Sequence, residues 1–170
     1  RGMYGKVVVT GGLSKAYALP GLRLGWMVGS EDLISQGWAC HDYTSIAAGI
    51  LSNQIAEIAL DPSRRLTILN RNRDILRNNL KIVSKWVSDH HGLFQLVDPK
   101  AGGMAFIKYD RDINSSHLIT RLREERSVLV IAGDHFGMDG YIRIGFGTEA
   151  NYLRKGLAIV SDFMDKLILR

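Results

Sequence analysis

The stretch best equipped for chemistry is Thr10-Gly-Gly-Leu-Ser-Lys-Ala-Tyr-Ala-Leu-Pro-Gly-Leu-Arg-Leu-Gly-Trp26, which carries two cations, Lys15 and Arg23, eight residues apart. It follows a valine-rich run that reads as a buried strand, and Gly11, Gly12, Pro20 and Gly21 make it an irregular loop. Loops normally run over the surface. A lysine on a loop between two buried strands is open to partial desolvation, which favours the uncharged, nucleophilic amine. The plainer reading is a solvated loop lysine, with Arg23 paired to a carboxylate. On residue types alone both readings stand. A third cation, Arg143, lies in Tyr141-Ile-Arg-Ile-Gly-Phe-Gly-Thr148, flanked by Ile142 and Ile144. Taken alone, it reads as a structural ion pair.

The elements that must position these residues follow from periodicity. Residues 5–9 read as a short buried strand, 10–22 as a loop, and Arg23 to Gly29 as a second strand. Helices are expected over 31–40 and 45–60. Asp61-Pro62 is a strong helix start, with Asp as N-cap and Pro in the first turn. Leu66, Leu69, Leu76, Leu80, Val83 and Val87 then recur at mostly three- and four-residue steps, giving a long amphipathic helix that ends near Gly92. Strands are expected at 93–97, 103–109, 128–131 and 141–146, with a helix near 115–126. A closing helix carries Leu153, Leu157, Val160, Met164 and Leu167, capped by Thr148 with Glu149 at its positive end. The fold class is α/β: the end of a larger α/β domain over 1–60, then a small α+β domain over 61–170. The boundary falls within the helix starting near 61.

Composition excludes several classes. The chain has 170 residues, 46% hydrophobic and 23% charged, so it is long and apolar enough to bury a core, and disorder is excluded. A single cysteine, Cys40, excludes an internal disulfide framework and hints at a reducing compartment. No apolar run reaches membrane-spanning length. No signal peptide is visible, and Arg1-Gly2-Met3-Tyr4 passes at once into strand, so the chain is expected to be cut from something longer. The net charge of +5 could suit an anionic partner. The arginines of the long helix, however, are interrupted by Asp74 and interleave with few aromatics, which reads as a solvated face rather than a nucleic-acid surface. His90-His91 is no metal pair, because adjacent helical residues point apart. Gly11-Gly12 lacks the ending of a phosphate-binding P-loop.

Ser14-Lys15 followed by Pro20-Gly21-Leu22-Arg23-Leu24-Gly25-Trp26 closely resembles the lysine motif of fold-type I aminotransferases of class I and II, enzymes dependent on pyridoxal 5′-phosphate (PLP). Pro99-Lys-Ala-Gly-Gly-Met-Ala-Phe106 resembles that family's turn into a small-domain strand, and the Arg143 segment resembles its carboxylate-binding strand. The resemblance implies a large PLP-binding domain ending near residue 60 and a small C-terminal domain after it. It implies that Lys15 is the catalytic lysine that forms the Schiff base with PLP. Arg23, and Ser14 through its hydroxyl, would contact the cofactor phosphate, and Arg143 would grip the substrate carboxylate. The implied reaction is transamination between an amino acid and a 2-oxo acid, in a cytoplasmic homodimer without nucleic-acid or membrane partners and without a metal.

The chain departs from the pattern in one position. Many relatives carry Ser or Thr three residues before the lysine; here Gly12 stands there, so that side chain cannot contact phosphate, and Thr10 is a nearby hydroxyl that could compensate. The carboxylate facing the pyridine nitrogen, the ring-stacking aromatic and the first phosphate loop would lie upstream of residue 1, so the isolated chain is expected to bind PLP poorly and be inactive. Residues 41–56 hold no Arg or Lys, which leans away from a dicarboxylic substrate. Tyr17, Trp26 and His135 could lie near substrate, although packing is the simpler role. Two alternatives remain. One is another PLP reaction (lyase, synthase or cyclase) on the same residues; the other is a non-catalytic aminotransferase-like domain of a transcription regulator.

Overall fold

A computed structural model describes residues 6–167. The readings that fall on residues 1–5, including the start of the first strand, lie outside it. The chain groups into two compact units that divide between Asn72 and Arg73.

The first unit opens with a two-stranded antiparallel ribbon, β1 (Val9–Gly12) and β2 (Gly25–Val28), in the register Val9 to Val28 and Gly12 to Gly25. Glycine is needed here for close approach. A Cβ on Gly11 would collide with the Trp26 indole, and one on Gly25 would sit 2.8 Å from the Gly11 carbonyl oxygen. Val7, Val8 and Val9 are exposed, contrary to the buried strand expected there. The ribbon has no third strand among the described residues, so the valines meet no apolar layer. Helix α1 (Glu31–Thr44) is capped by the Ser30 hydroxyl, which accepts from the Leu33 N–H. Helix α2 (Ile50–Leu60) follows. Helix α3 (Pro62–Asp89) starts where Asp61 accepts from the N–H groups of Ser63 and Arg64.

The second unit is a four-stranded antiparallel sheet of β3 (Phe94–Leu96), β4 (Met104–Tyr109), β5 (Ile131–Ala132) and β6 (Tyr141–Gly145), in the order β3-β4-β6-β5. Alternation sorts its faces. Ala105, Ile107 and Tyr109 of β4 and Ile142 and Ile144 of β6 are buried in one core with Val83 and Trp86 of α3. Leu118 and Leu122 of α4 (Ser115–Arg126) and Leu153, Leu157, Val160, Phe163 and Met164 of α5 (Ala150–Lys166) complete that core. The opposite face carries Phe106, Tyr141 and Arg143. Asn79, almost fully buried in the apolar stripe of α3, donates to the carbonyls of Phe146 and Thr148 at 2.7 Å each. It thereby satisfies backbone groups just beyond β6. Glu149, not Thr148, caps α5 by accepting from the N–H groups of Asn151 and Tyr152. A carboxylate also suits that helix end better than a hydroxyl. The strand expected at 128–131 is reduced to Ile131–Ala132, which runs directly into a 3-10 segment, Gly133–Phe136. No helix among the described residues is long and apolar enough to cross a membrane.

Candidate active site

In the first unit, Lys15 lies on the loop that joins β1 to β2. Its shape is held by backbone bonds: Leu13 N–H to Leu24 O (3.1 Å), Leu19 N–H to Leu13 O (3.0 Å) and Ala18 N–H to Lys15 O (3.0 Å). Ala18 and Arg23 adopt left-handed φ values of 54° and 52°. Apolar anchors pin both sides of the lysine. Leu13 and Tyr17 are buried with Ala56, against Leu19, Leu22, Leu24, Ile68 and Leu69. Two side chains from α3 complete the hold: Asn72 donates to the Ala16 carbonyl at 2.9 Å, and Arg65 donates to the Tyr17 hydroxyl at 3.0 Å. Tyr17 therefore packs, as its simpler role required. These two α3 contacts escaped sequence reading, because nothing in local spacing links positions 16–17 to 65–72.

Lys15 itself is exposed and Ser14 half-buried. The desolvation expected of Lys15 is not supplied by these residues, since the ribbon beside it is a single layer. Arg23 is exposed, and a terminal guanidinium nitrogen donates to the Pro20 carbonyl at 2.8 Å. Among the described residues neither Lys15 nor Arg23 makes an ion pair, so the carboxylate partner entertained for Arg23 is not found. An amine, a guanidinium and a hydroxyl on one loop, with no acid paired to them, are a donor set that fits an aldehyde carbon and a phosphate dianion. The residues present thus fit PLP. Thr10 is exposed on β1 opposite Met27, and Trp26 and His135 are also exposed.

Arg143 belongs to the second unit. It sits on β6 with Phe106 of β4 and Ile131 of β5 as cross-strand partners. Its Cζ lies 4.9 Å from the centre of the Phe136 ring. The Phe106 ring stacks on Tyr141 (5.1 Å, 12°) and meets Phe136 edge-on (5.9 Å, 86°). Arg143 makes no ion pair among the described residues, and its buried Nε has no hydrogen-bond partner. A buried, unpaired charged donor is costly unless an acceptor arrives, which suits a carboxylate ligand better than the structural ion pair. The aromatic surround was invisible in the sequence, because cross-strand register and a 3-10 turn assemble it.

That turn is tied to the start of α4. Ser116 N–H donates to Asp134 at 3.3 Å, the Ser115 hydroxyl accepts from the Asp134 N–H at 3.0 Å, and Asp139 accepts from the N–H groups of Ser115 and Gly140 at 2.7 Å each. Hydrogen bonds, foremost from the Ser116 hydroxyl, hold the Asp134 carboxyl down at about 2; the Ser115 and Gly140 N–H groups hold Asp139 low in the same way. Both acids are thus depressed in the folded state. Their stabilisation is full above the ordinary carboxylate range and is lost as pH falls from about 4 toward 2. The urea midpoint of the folded protein is expected to drop over that window. Asp134→Asn is expected to lower stability at neutral pH and flatten the acid limb; an unchanged slope would refute the assignment.

No group of three His, Cys, Asp or Glu suited to a metal occurs among the described residues. His90 has its Nδ1 2.6 Å from the Trp86 carbonyl oxygen, and its ring lies against Trp86 and Phe94.

The sequence model described as "Aminotransferase class I and II" matches residues 2–159. Capreomycidine synthase of Streptomyces vinaceus is 32% identical over 157 residues, 92% of this chain and 40% of that protein. The crystal structure of a PLP-dependent aminotransferase from Streptococcus suis has a TM-score of 0.88 at 34% identity, covering 96% of this chain and 43% of its own. The PLP-dependent cyclase OrfR gives 0.86 at 27% identity, covering 95% and 44%. The chain spans about 40% of the length of the curated relatives it matches. The α/β elements, the lysine loop and the matched span agree: the chain belongs to the class I and II aminotransferase family, whose cofactor is pyridoxal 5′-phosphate.

Proposed function

We propose that this chain is part of an enzyme that moves an amino group between an amino acid and a 2-oxo acid. The observation that carries the reading is that the three motif cations, Lys15, Arg23 and Arg143, have no carboxylate partner among the described residues. Bound PLP supplies the electron sink for charge that develops at the substrate Cα. Arg23 holds the phosphate with its planar fork, and the Ser14 hydroxyl adds a hydrogen bond. Lys15 would hold the cofactor carbon through its amine. Its Nζ would take the proton from the substrate Cα as base and give it up again as acid. Arg143 would grip the α-carboxylate through two parallel N–H···O bonds, which would orient the Cα–H bond for cleavage. In this reading the domains are a cofactor-binding part over 1–60 and a small domain over 61–170, and the working form is a cytoplasmic homodimer acting on small molecules.

A second reading is a synthase or cyclase reaction on the same residues. The 32% identity to capreomycidine synthase and the likeness to a PLP-dependent cyclase favour it. The test uses the full-length protein loaded with PLP and a panel of amino acids, with and without a 2-oxo acid acceptor. Product formed only with acceptor supports transamination. Product formed without acceptor moves the assignment to the second reading. Absence of both, together with no borohydride-stable label on Lys15, would defeat each of them.

A further inference from the structure

We infer that Phe136 is a positioning residue for Arg143: its ring holds the guanidinium in place so that the group, which no acid pairs with among the described residues, is kept for the substrate carboxylate. This rests on the carboxylate-binding reading of Arg143. The guanidinium carbon lies 4.9 Å from the ring centre, and no acid competes for the group among the described residues. An arginine on a strand has several rotatable bonds, and an ion pair usually limits them. Here an aromatic face does so, which leaves the N–H donors on the rim free for bidentate contact.

Phe136 is itself held rather than loose. Its edge rests against Phe106, which stacks on Tyr141. It closes the 3-10 turn Gly133–Phe136, whose far end is fastened to α4 through Asp134. Gly137, with φ at 70°, ends the turn in a conformation that glycine adopts without strain. A Cβ at Gly133 would collide with the Met138 carbonyl oxygen and the Tyr141 backbone, so the turn also requires glycine at its start. Phe136 is 49% exposed and lies outside the apolar core, so its ring is not there to fill the fold.

The experiment uses full-length protein loaded with PLP and two carbonyl reagents. Aminooxyacetate carries a carboxylate; methoxyamine does not. Loss of the cofactor's visible band gives a capture rate for each. In the native protein aminooxyacetate is expected to react faster. Phe136→Leu, which keeps apolar bulk but removes the π face, is expected to slow aminooxyacetate about fivefold, the scale of one cation–π contact. Methoxyamine capture should stay unchanged, and Phe136→Tyr should restore the native ratio. Arg143→Gln serves as the reference and should abolish the preference. If Arg143→Gln abolishes it while Phe136→Leu does not alter it, the positioning role is overturned and the Arg143 reading survives. If Arg143→Gln leaves the preference intact, the carboxylate reading fails, and the role of Phe136 fails with it. Equal slowing of both reagents by Phe136→Leu would also overturn the proposal, because a general disturbance of the site would then explain the effect.

Discussion

Lys15→Ala in the full-length protein is expected to lower turnover by about 10⁴-fold or more, with little change in stability. Two roles are lost together. In the proposed reading the amine both binds the cofactor carbon and serves as the base at the substrate Cα; proton transfer by a positioned group alone contributes roughly 10²–10⁴. Stability should hold because Lys15 is exposed and the loop is shaped by backbone contacts and by Leu13 and Tyr17. Exposed substitutions of this kind usually stay within about ±0.5 kcal/mol. Lys15→Arg should be nearly as inactive, since a guanidinium keeps the charge but is too weak a base and nucleophile. The check pairs turnover with borohydride trapping and peptide mapping. The native protein should carry the label on Lys15, and both variants should carry none. Turnover of Lys15→Ala within tenfold of native would refute the assignment, as would a label spread over other lysines.

Local signals carried much of the fold, and non-local ones account for the misses. Asp61-Pro62 announced α3 because capping is a matter of neighbouring residues. The alternation of Ile142 and Ile144 placed Arg143 on the face opposite the core for the same reason. Val7 to Val9 are exposed among the described residues: a valine run states a preference for strand and does not say which layer covers it. The cap of α5 was displaced by one residue. Sequence reading puts the cap at Thr148, but the Thr148 carbonyl is taken up by Asn79, which lies 69 residues away in the chain, and the Glu149 carboxylate caps the helix instead. The site divided along the same line. Ser14, Lys15 and Arg23 fall within ten residues and were legible as a motif. Asn72, Arg65 and Phe136 act on the motif residues only through tertiary contact.

Arg143→Lys is expected to cut kcat/KM for the amino acid by about 10²–10³, equivalent to roughly 3–4 kcal/mol of transition-state stabilisation. The substitution keeps the positive charge, so a purely coulombic role would largely survive it. What it removes is the flat fork: an ammonium cannot offer two parallel N–H donors to a carboxylate, nor keep the planar guanidinium that lies over the Phe136 ring. The stability of the variant separates this role from a structural one. Were Arg143 a structural ion pair, Arg143→Lys would lose the bidentate geometry that holds a buried pair together and would destabilise the protein. Arg143 makes no ion pair among the described residues, and its buried Nε is unsatisfied, so Arg143→Lys should leave the unfolding midpoint unchanged or slightly raised. The buried face of β6 belongs to Ile142 and Ile144, which the substitution does not touch. Steady-state kinetics and urea unfolding, run on the same preparation, decide the matter. Lost activity with retained stability identifies a residue kept for its ligand, whereas lost stability with retained kcat/KM would return Arg143 to the framework of the sheet.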